Sequence, residues 1–181
     1  MVLTRRELFT GMMAGGERMR QRQTAVTAND PLLHLLHRAT WGPRPDDVAY
    51  ARSLGYEAWL DEQLQPEQID DNQVETRLQK LPILSMDRHT LYSLGDYEYR
   101  CMQAAAQGMI IRAVYGRRQL YERVVEFWAD HFNVSGEDDV AAENVLYQQA
   151  VIRRHALGKF RDLLYAVAKS PAMLIYLDNF V

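Results

Sequence analysis

The stretch that decides the fold class is His155-Ala-Leu-Gly-Lys-Phe-Arg-Asp-Leu-Leu-Tyr-Ala-Val-Ala-Lys-Ser-Pro-Ala-Met-Leu-Ile-Tyr-Leu-Asp-Asn179. It predicts a helix over residues 160–169, because its large apolar residues recur at helical spacing. Ser170-Pro171 predicts a break and then a second short apolar helix, since proline is tolerated at the first position of a helix. Two apolar helices in succession need a partner surface, so the stretch indicates a protein of packed helices.

The same helical pattern continues through the chain after residue 28. Asp30 can cap a helix that begins at Pro31, where the missing N–H costs nothing. Glycine or proline separates further helical segments at positions 42, 55, 66, 116 and 158. Alternating apolar and polar runs that would predict a strand are absent from the sequence. We therefore expect an all-α, irregular multi-helix domain of about seven to nine helices, without a sheet, over residues 29–181.

Two segments carry more specific expectations. Residues 83–96 are rich in serine, aspartate and glycine, which predicts a loop or a broken helix. Residues 140–156 predict one continuous helix that follows an acidic loop and ends before Gly158.

The composition excludes several classes of protein and site. The 181 residues favour one domain, and the net charge of -3 gives no general attraction to nucleic acid, so no nucleic-acid partner is expected. No run approaches the roughly 18 uninterrupted apolar residues that a membrane span needs. Cys101 is the only cysteine, which excludes an intramolecular disulfide and a cysteine-rich zinc site. We expect it to be a buried or half-buried structural residue.

The amino-terminal segment, residues 1–28, is expected to be a disordered leader. Thr4-Arg5-Arg6-Glu7-Leu8-Phe9 is similar to the twin-arginine export motif. An export signal needs an apolar core of about 7 to 15 residues and a small-residue cleavage site. Here the core, residues 10–16, is at the lower limit of that length, and glutamate and several arginines come directly after it. Two interpretations remain open: a degenerate export signal, with an exported protein, or a basic leader on a cytoplasmic one.

Candidate site residues lie at the predicted ends of helices. Asp130 and His131 stand near the end of the face formed by Phe127 and Trp128, and a loop with acids at 137–139 follows them. A histidine beside carboxylates can bind a metal or act as a base. The alternative is structural, because a histidine in the last turn of a helix interacts well with the helix dipole.

Two further candidates share that ambiguity. His155 lies near another helix end and is the second candidate metal ligand, with the same structural alternative. Asp178 and Asn179 follow an apolar helix and offer a carboxylate-amide pair for a catalytic site. The sequence lacks a phosphate-binding glycine loop, a His-Glu-x-x-His helix and a nucleophile elbow, so it identifies no cofactor.

Three segments carry a resemblance to a known family. They are Leu32-Leu-His-Leu-Leu-His-Arg-Ala-Thr-Trp-Gly-Pro43 with Leu54-Gly-Tyr-Glu-Ala-Trp-Leu-Asp-Glu-Gln-Leu64, Arg123-Val-Val-Glu-Phe-Trp-Ala-Asp-His-Phe-Asn133, and residues 154–179. Together these segments resemble the start of the bacterial proteins catalogued as domain-of-unknown-function family 1800. The resemblance implies a helical protein, often with an export signal, and no established activity. It also implies that a polar, histidine-containing helix follows the Leu-Asp-Asn motif, so residues 29–181 are expected to be the front part of a longer family domain. Members often have a polar residue where this chain has Ala129.

Two functional hypotheses follow. The first is a helical module, truncated and without a complete active site, that binds a protein partner or self-associates through exposed apolar residues near Leu174, Ile175 and Leu177. The alternative is an exported hydrolase or metal-dependent enzyme in which Asp130, His131 and Asp178 converge in one cleft.

Overall fold

The structure, a computed structural model, describes residues 30–136 and 140–179. These residues form ten α-helices and no strand, which confirms the all-α prediction. The expected leader (1–28) and the acids at 137–139 lie outside the described residues. The helices are α1 (Pro31–Ala39), α2 (Pro45–Leu54), α3 (Tyr56–Gln63), α4 (Asn72–Leu78), α5 (Arg88–Tyr92), α6 (Tyr97–Tyr115), α7 (Gln119–His131), α8 (Ala141–Tyr147), α9 (Phe160–Ala168) and α10 (Pro171–Tyr176).

Helix α1 begins as its sequence predicts. The Asp30 carboxylate accepts hydrogen bonds from the backbone N–H groups of Leu32 and Leu33, at 3.0 and 3.1 Å, which satisfies two of the free donors at the helix start. The helix packs against α2 and α3. Together the three bury a small core, formed by Leu36, Ala39, Ala51 and Trp59.

Helix α6 supplies one wall of a second core, in which Cys101 is fully buried, as predicted. Across from it lie α8 and the short segment Pro82–Ser85, a 3-10 helix. Gly108 permits this close packing, because a Cβ at that position would lie 2.7 Å from Cδ1 of Leu84. The segment expected to be a loop or a broken helix thus contains a 3-10 turn and the five-residue helix α5.

A third core joins α7, α9 and α10 with the end of the predicted helix over residues 140–156. The break between α9 and α10 is confirmed: Ser170 caps α10, its hydroxyl accepting a hydrogen bond from the N–H of Met173 at 3.2 Å. Two hydrogen bonds join α7 and the residue after it to the segment over residues 140–156. Trp128 Nε1 donates to the Ala156 carbonyl at 3.0 Å, and the Tyr147 hydroxyl donates to the Phe132 carbonyl at 2.9 Å.

The helix after the acidic loop is not uniformly α-helical. α8 changes at Gln148 into a π-helix, Gln148–Arg153, whose backbone bonds join residues five apart instead of four. Such segments are rare and occur frequently at functional sites. Within the described residues, no helix is both long and apolar enough to cross a bilayer.

Candidate functional site

The predicted site residues at the end of α7 lie on the surface. Asp130 and His131 are both exposed. The imidazole of His131 stacks on the Phe127 ring, with ring centroids 6.1 Å apart, and meets Trp128 and Phe132 edge-on. The ring therefore belongs to an aromatic cluster at the carboxyl end of α7, where the helix dipole also favours a histidine.

The other predicted site residues also lie next to helix ends. His155 is half-buried, and its carbonyl accepts a hydrogen bond from Gly158 N–H at 2.9 Å. Asp178 is exposed and takes a left-handed conformation, with φ of 55°. The next N–H, of Asn179, donates to the Leu174 carbonyl at 2.8 Å, as in the turns that end many helices.

The described residues contain no group of three histidine, cysteine or acidic side chains arranged to hold a metal ion. Nor does any hydrogen bond or ion pair among them join Asp130 or His131 to Asp178. A shared site of these residues, and a metal role for His131 or His155, therefore stay predictions.

A different site is formed where α6, α7 and the π-helix meet. These elements enclose a cavity of about 200 Å³. Its lining combines apolar side chains with charged and amide side chains, which is the usual composition of a small-molecule site. The apolar wall, as we call the apolar part of the lining, includes Leu84, Ala105, Ala106, Met109, Val125 and Val145, and the polar wall, its charged and amide part, includes Arg112, Glu122, Glu126, Gln148, Gln149 and Arg153.

An ion pair between Glu122 and Arg153 forms part of the polar wall. Two hydrogen bonds join them, Nη1 to Oε2 at 2.9 Å and Nη2 to Oε1 at 2.5 Å. Both side chains are largely buried, at 9% and 15% exposed. Burial lowers the pKa of Arg153, but the hydrogen bond to Glu122 and the charge of Glu122, with smaller contributions from Tyr121 and Glu75, together outweigh it, and the pKa lies above its ordinary value. The pair thus commits both side chains to each other.

The π-helix places Arg153 on the cavity side. In a π-helix, bonds between residues five apart bring Gln148 and Arg153 onto one face. The same spacing in an α-helix would turn them to different faces, because an α-helix repeats every 3.6 residues. Tyr121 holds Arg153 from the other side, with its hydroxyl donating to the Arg153 carbonyl at 2.7 Å.

Arg112 faces the same cavity from α6 and is half-buried. Among the described residues, no acceptor lies within hydrogen-bonding distance of its guanidinium. Burial, followed by the neighbouring charge of Arg153, lowers the pKa of Arg112 to about 10. The guanidinium is still protonated at neutral pH, so it is a partly desolvated cation without a direct partner.

Among the described residues, Arg112 forms no ion pair with the carboxylates that line the cavity. Glu122 is paired with Arg153, and Glu126 is paired with Arg123. The Arg123 guanidinium also lies over the ring of Trp41, 4.8 Å from its centroid, at the cavity edge. Each of the two lining carboxylates thus has its own arginine, so Arg112 faces the cavity without an ion-pair partner among the described residues, although the charges of Glu122 and Glu75 still act on it from a distance.

The sequence patterns did not identify this site. The available signal was Arg112 itself, the only charged residue in Cys101-Met-Gln-Ala-Ala-Ala-Gln-Gly-Met-Ile-Ile-Arg-Ala-Val-Tyr115. A lone charge inside an otherwise apolar and amide-containing helix is a candidate for a buried polar role. The partners of Glu122 could not be inferred, because Arg153 lies 31 residues further along the chain.

Comparison with known proteins gives one finding. The family model described as "Protein of unknown function (DUF1800)" matches residues 34–181. The comparisons with curated proteins and with solved structures find no match.

Proposed function

The chain belongs to the DUF1800 family of proteins of unknown function, and we propose that its helical domain binds a small anionic ligand in the cavity between α6, α7 and the π-helix. One observation carries this proposal: Arg112 is protonated and half-buried, and it faces the cavity without an acceptor among the described residues. A desolvated cation is costly unless it is paired, so an anion in the cavity would relieve that cost.

The cavity-lining residues other than Arg112 support a ligand that is partly apolar. Met109, Val125 and Val145 provide apolar surface, while the amides of Gln148 and Gln149 provide donors and acceptors. A ligand with an anionic end and an apolar end would match both walls. This arrangement supports a binding module.

The test is thermal unfolding of the purified protein in increasing benzoate, at constant ionic strength. Benzoate should raise the melting temperature, because a ligand that binds only the folded state stabilises it. Arg112→Gln should abolish the rise. Arg100→Gln, which removes an exposed arginine from the same helix, is the matched control and should keep it. An equal benzoate effect on all three proteins would refute the proposal.

We also propose that the apolar surface of α9 and α10 binds a protein partner or a second copy of the chain. Phe160, Leu164, Tyr165 and Leu177 are exposed there, which supports the role expected of the carboxyl-terminal helix. Leu174 and Ile175, which the sequence also suggested, are only half-exposed. Sedimentation equilibrium tests the proposal: concentration-dependent association should be lost in Leu177→Lys, and a monomer at all concentrations of the unaltered chain would oppose it.

The enzymatic alternative stays a weaker proposal. The exposed positions of Asp130 and His131 support access by a metal ion or a substrate, with Asp178 and Asn179 as further candidates and His155 as a second metal ligand. Zinc titration by calorimetry tests it. Binding that His131→Ala removes would support a metal site, and the absence of binding would eliminate one.

The remaining proposals concern the leader, the origin and export of the protein, the extent of its domain, and nucleic acid as a partner. The Arg5-Arg6 pair and the family resemblance support a twin-arginine-like leader in residues 1–28, a bacterial origin, and export. The resemblance also supports the proposal that residues 29–181 form the front part of a longer family domain. The net charge of -3 supports the proposal that nucleic acid is not a partner. Fusion of residues 1–28 to a reporter protein would show whether they direct export.

A further inference from the structure

We infer that the ligand of the cavity is a monocarboxylate with a short apolar body, about the size of a six-carbon chain, and not a phosphoryl compound. The inference rests on the proposed function, since it names the chemical class of the ligand for the site around Arg112.

The first argument is charge. A carboxylate carries one negative charge, which would give the guanidinium of Arg112 the ion-pair partner that it lacks among the described residues. A phosphate monoester carries about −1.5 to −2 at neutral pH. Its additional charge would face Glu122 and Glu126, whose own arginines are already engaged, so like charges would oppose binding.

The second argument is hydrogen bonding. A guanidinium presents parallel N–H groups that match the two oxygens of a carboxylate, and this two-point contact is among the stronger hydrogen-bonded pairs in proteins. The side-chain amides of Gln148 and Gln149 line the same cavity, and neither has a hydrogen-bond partner among the described residues. Their NH₂ groups can donate to the remaining lone pairs of the carboxylate.

The third argument is size. The cavity measures about 200 Å³. An apolar cavity of about 150 Å³ is large enough to hold benzene, so this one has room for a ring or chain of six carbons with a carboxylate attached. Long-chain acids exceed that volume unless their tails leave the cavity. Met109 and Val125 line the apolar wall against which the body would pack.

The inference also names a role for Trp41. Its exposed ring lines the cavity, and its backbone N–H donates to Oε1 of the buried Gln119 at 3.2 Å. With Arg123 stacked on it, the ring is held at the edge of the cavity. An apolar body that reaches this edge would contact the indole, which offers a large rigid surface at a low entropic cost.

The experiment compares three six-carbon probes by isothermal titration calorimetry: hexanoate, hexanamide and hexyl phosphate. Each is titrated into the unaltered chain, Arg112→Gln and the control Arg100→Gln. We expect hexanoate to bind the unaltered chain and Arg100→Gln equally. Hexanoate should bind Arg112→Gln about tenfold or more weakly than it binds the unaltered chain. Hexanamide should bind the unaltered chain about tenfold or more weakly than hexanoate does. In each case a charged hydrogen bond is lost. Hexyl phosphate should bind at least about tenfold more weakly than hexanoate, because of the like charges it meets.

A second variant tests the cavity independently if Arg112→Gln fails to fold. Ala106 lines the cavity and is exposed, so Ala106→Phe fills space there while Arg112 stays in place. It should remove hexanoate binding, and circular dichroism should show an unchanged helical content.

The outcomes separate the inference from the proposed function. Hexyl phosphate binding as tightly as hexanoate, with both lost in Arg112→Gln, would overturn the carboxylate inference and leave the anion site standing. Hexanamide binding as tightly as hexanoate, or hexanoate binding unaffected by Arg112→Gln and by Ala106→Phe, would overturn both. No binding of any probe to the unaltered chain would overturn the anion site itself.

Discussion

Glu122 on α7 and Arg153 in the π-helix form a two-point ion pair that is almost entirely buried, with N–O distances of 2.9 and 2.5 Å. Because Glu122 is committed to Arg153, it does not serve as a hydrogen-bond acceptor for Arg112, whose guanidinium lines the same cavity. The pair therefore joins α7 to the π-helix, and it leaves Arg112 without an ion-pair partner among the described residues.

Breaking this pair should be strongly destabilising. Glu122→Gln leaves the buried Arg153 guanidinium without a charged partner, which typically costs about 3–5 kcal/mol. Urea unfolding monitored by circular dichroism measures the loss. The control is Asp47→Asn, which breaks the more exposed pair with Arg44 and should cost at most about 1 kcal/mol. Similar losses in both variants would contradict the buried role of Glu122.

Removing the unpaired charge should have the opposite effect. Arg112→Met replaces the guanidinium with an apolar side chain and removes its desolvation cost, so we expect a gain of about 1–2 kcal/mol in the free energy of unfolding without ligand. Arg100→Met on the exposed side of α6 is the control and should change stability by less than about 0.5 kcal/mol. A marked loss in Arg112→Met would mean that the arginine stabilises the fold and is not held for a ligand.

Gly108 should gain little from a side chain because of Leu84 and Arg112. A Cβ at this position would lie 2.7 Å from Leu84 Cδ1 and 3.1 Å from Nη1 of Arg112, so both side chains must shift, and we expect this cost to offset most of the about 1 kcal/mol that the helix propensity of alanine would contribute in Gly108→Ala. The double variant with Leu84→Ala should show a smaller cost than the sum of the two single changes. Gly95→Ala, where no atom lies within 4 Å of the added Cβ, is the neutral control. Strict additivity would disprove the contact.

Asp71 should make the free energy of unfolding depend on pH in a defined direction. Burial raises the pKa of its carboxyl group, although the N–H of Arg117 donates to Oδ1 at 2.9 Å. A raised folded-state pKa contributes stability below the unfolded value, and this contribution is lost as the pH rises through the folded value. Asp71→Asn removes the charge and keeps an acceptor, so its stability relative to the unaltered chain should be higher at about pH 7 than at about pH 3.5.

Unfolding in urea at the two pH values checks the prediction for Asp71. Asp61→Asn, which removes an exposed carboxylate, serves as the control. If the stability of Asp71→Asn relative to the unaltered chain decreases from the lower to the higher pH, the assigned direction of the pKa shift is contradicted.

Local signals in the sequence were enough for the helices but not for the cavity. Asp30 and Ser170 were predictable helix starts, because a cap acts on backbone N–H groups two or three residues away. The π-helix within residues 140–156 was missed, since its bonding pattern is one residue away from that of an α-helix and has no equally local signal.

The site was missed for a physical reason as well. The candidates at His131 and Asp178 were chosen because polar residues near helix ends often have chemical roles, and the same positions also favour residues that interact with the dipole or form the terminating turn. The charge of Arg112, by contrast, is significant only because Glu122 is paired with a residue from a distant helix. Pairing across tertiary contacts is not encoded in any short stretch of sequence.

The most direct test of the central claim is an NMR titration that follows the Nε–Hε signal of Arg112 as hexanoate is added. A carboxylate bound to the guanidinium should shift this signal progressively to saturation, while the signal of Arg100 stays in place. A saturating shift of Arg112 that is absent in Ala106→Phe would agree with a ligand site in the cavity. An Arg112 signal that does not move at millimolar hexanoate would contradict the account.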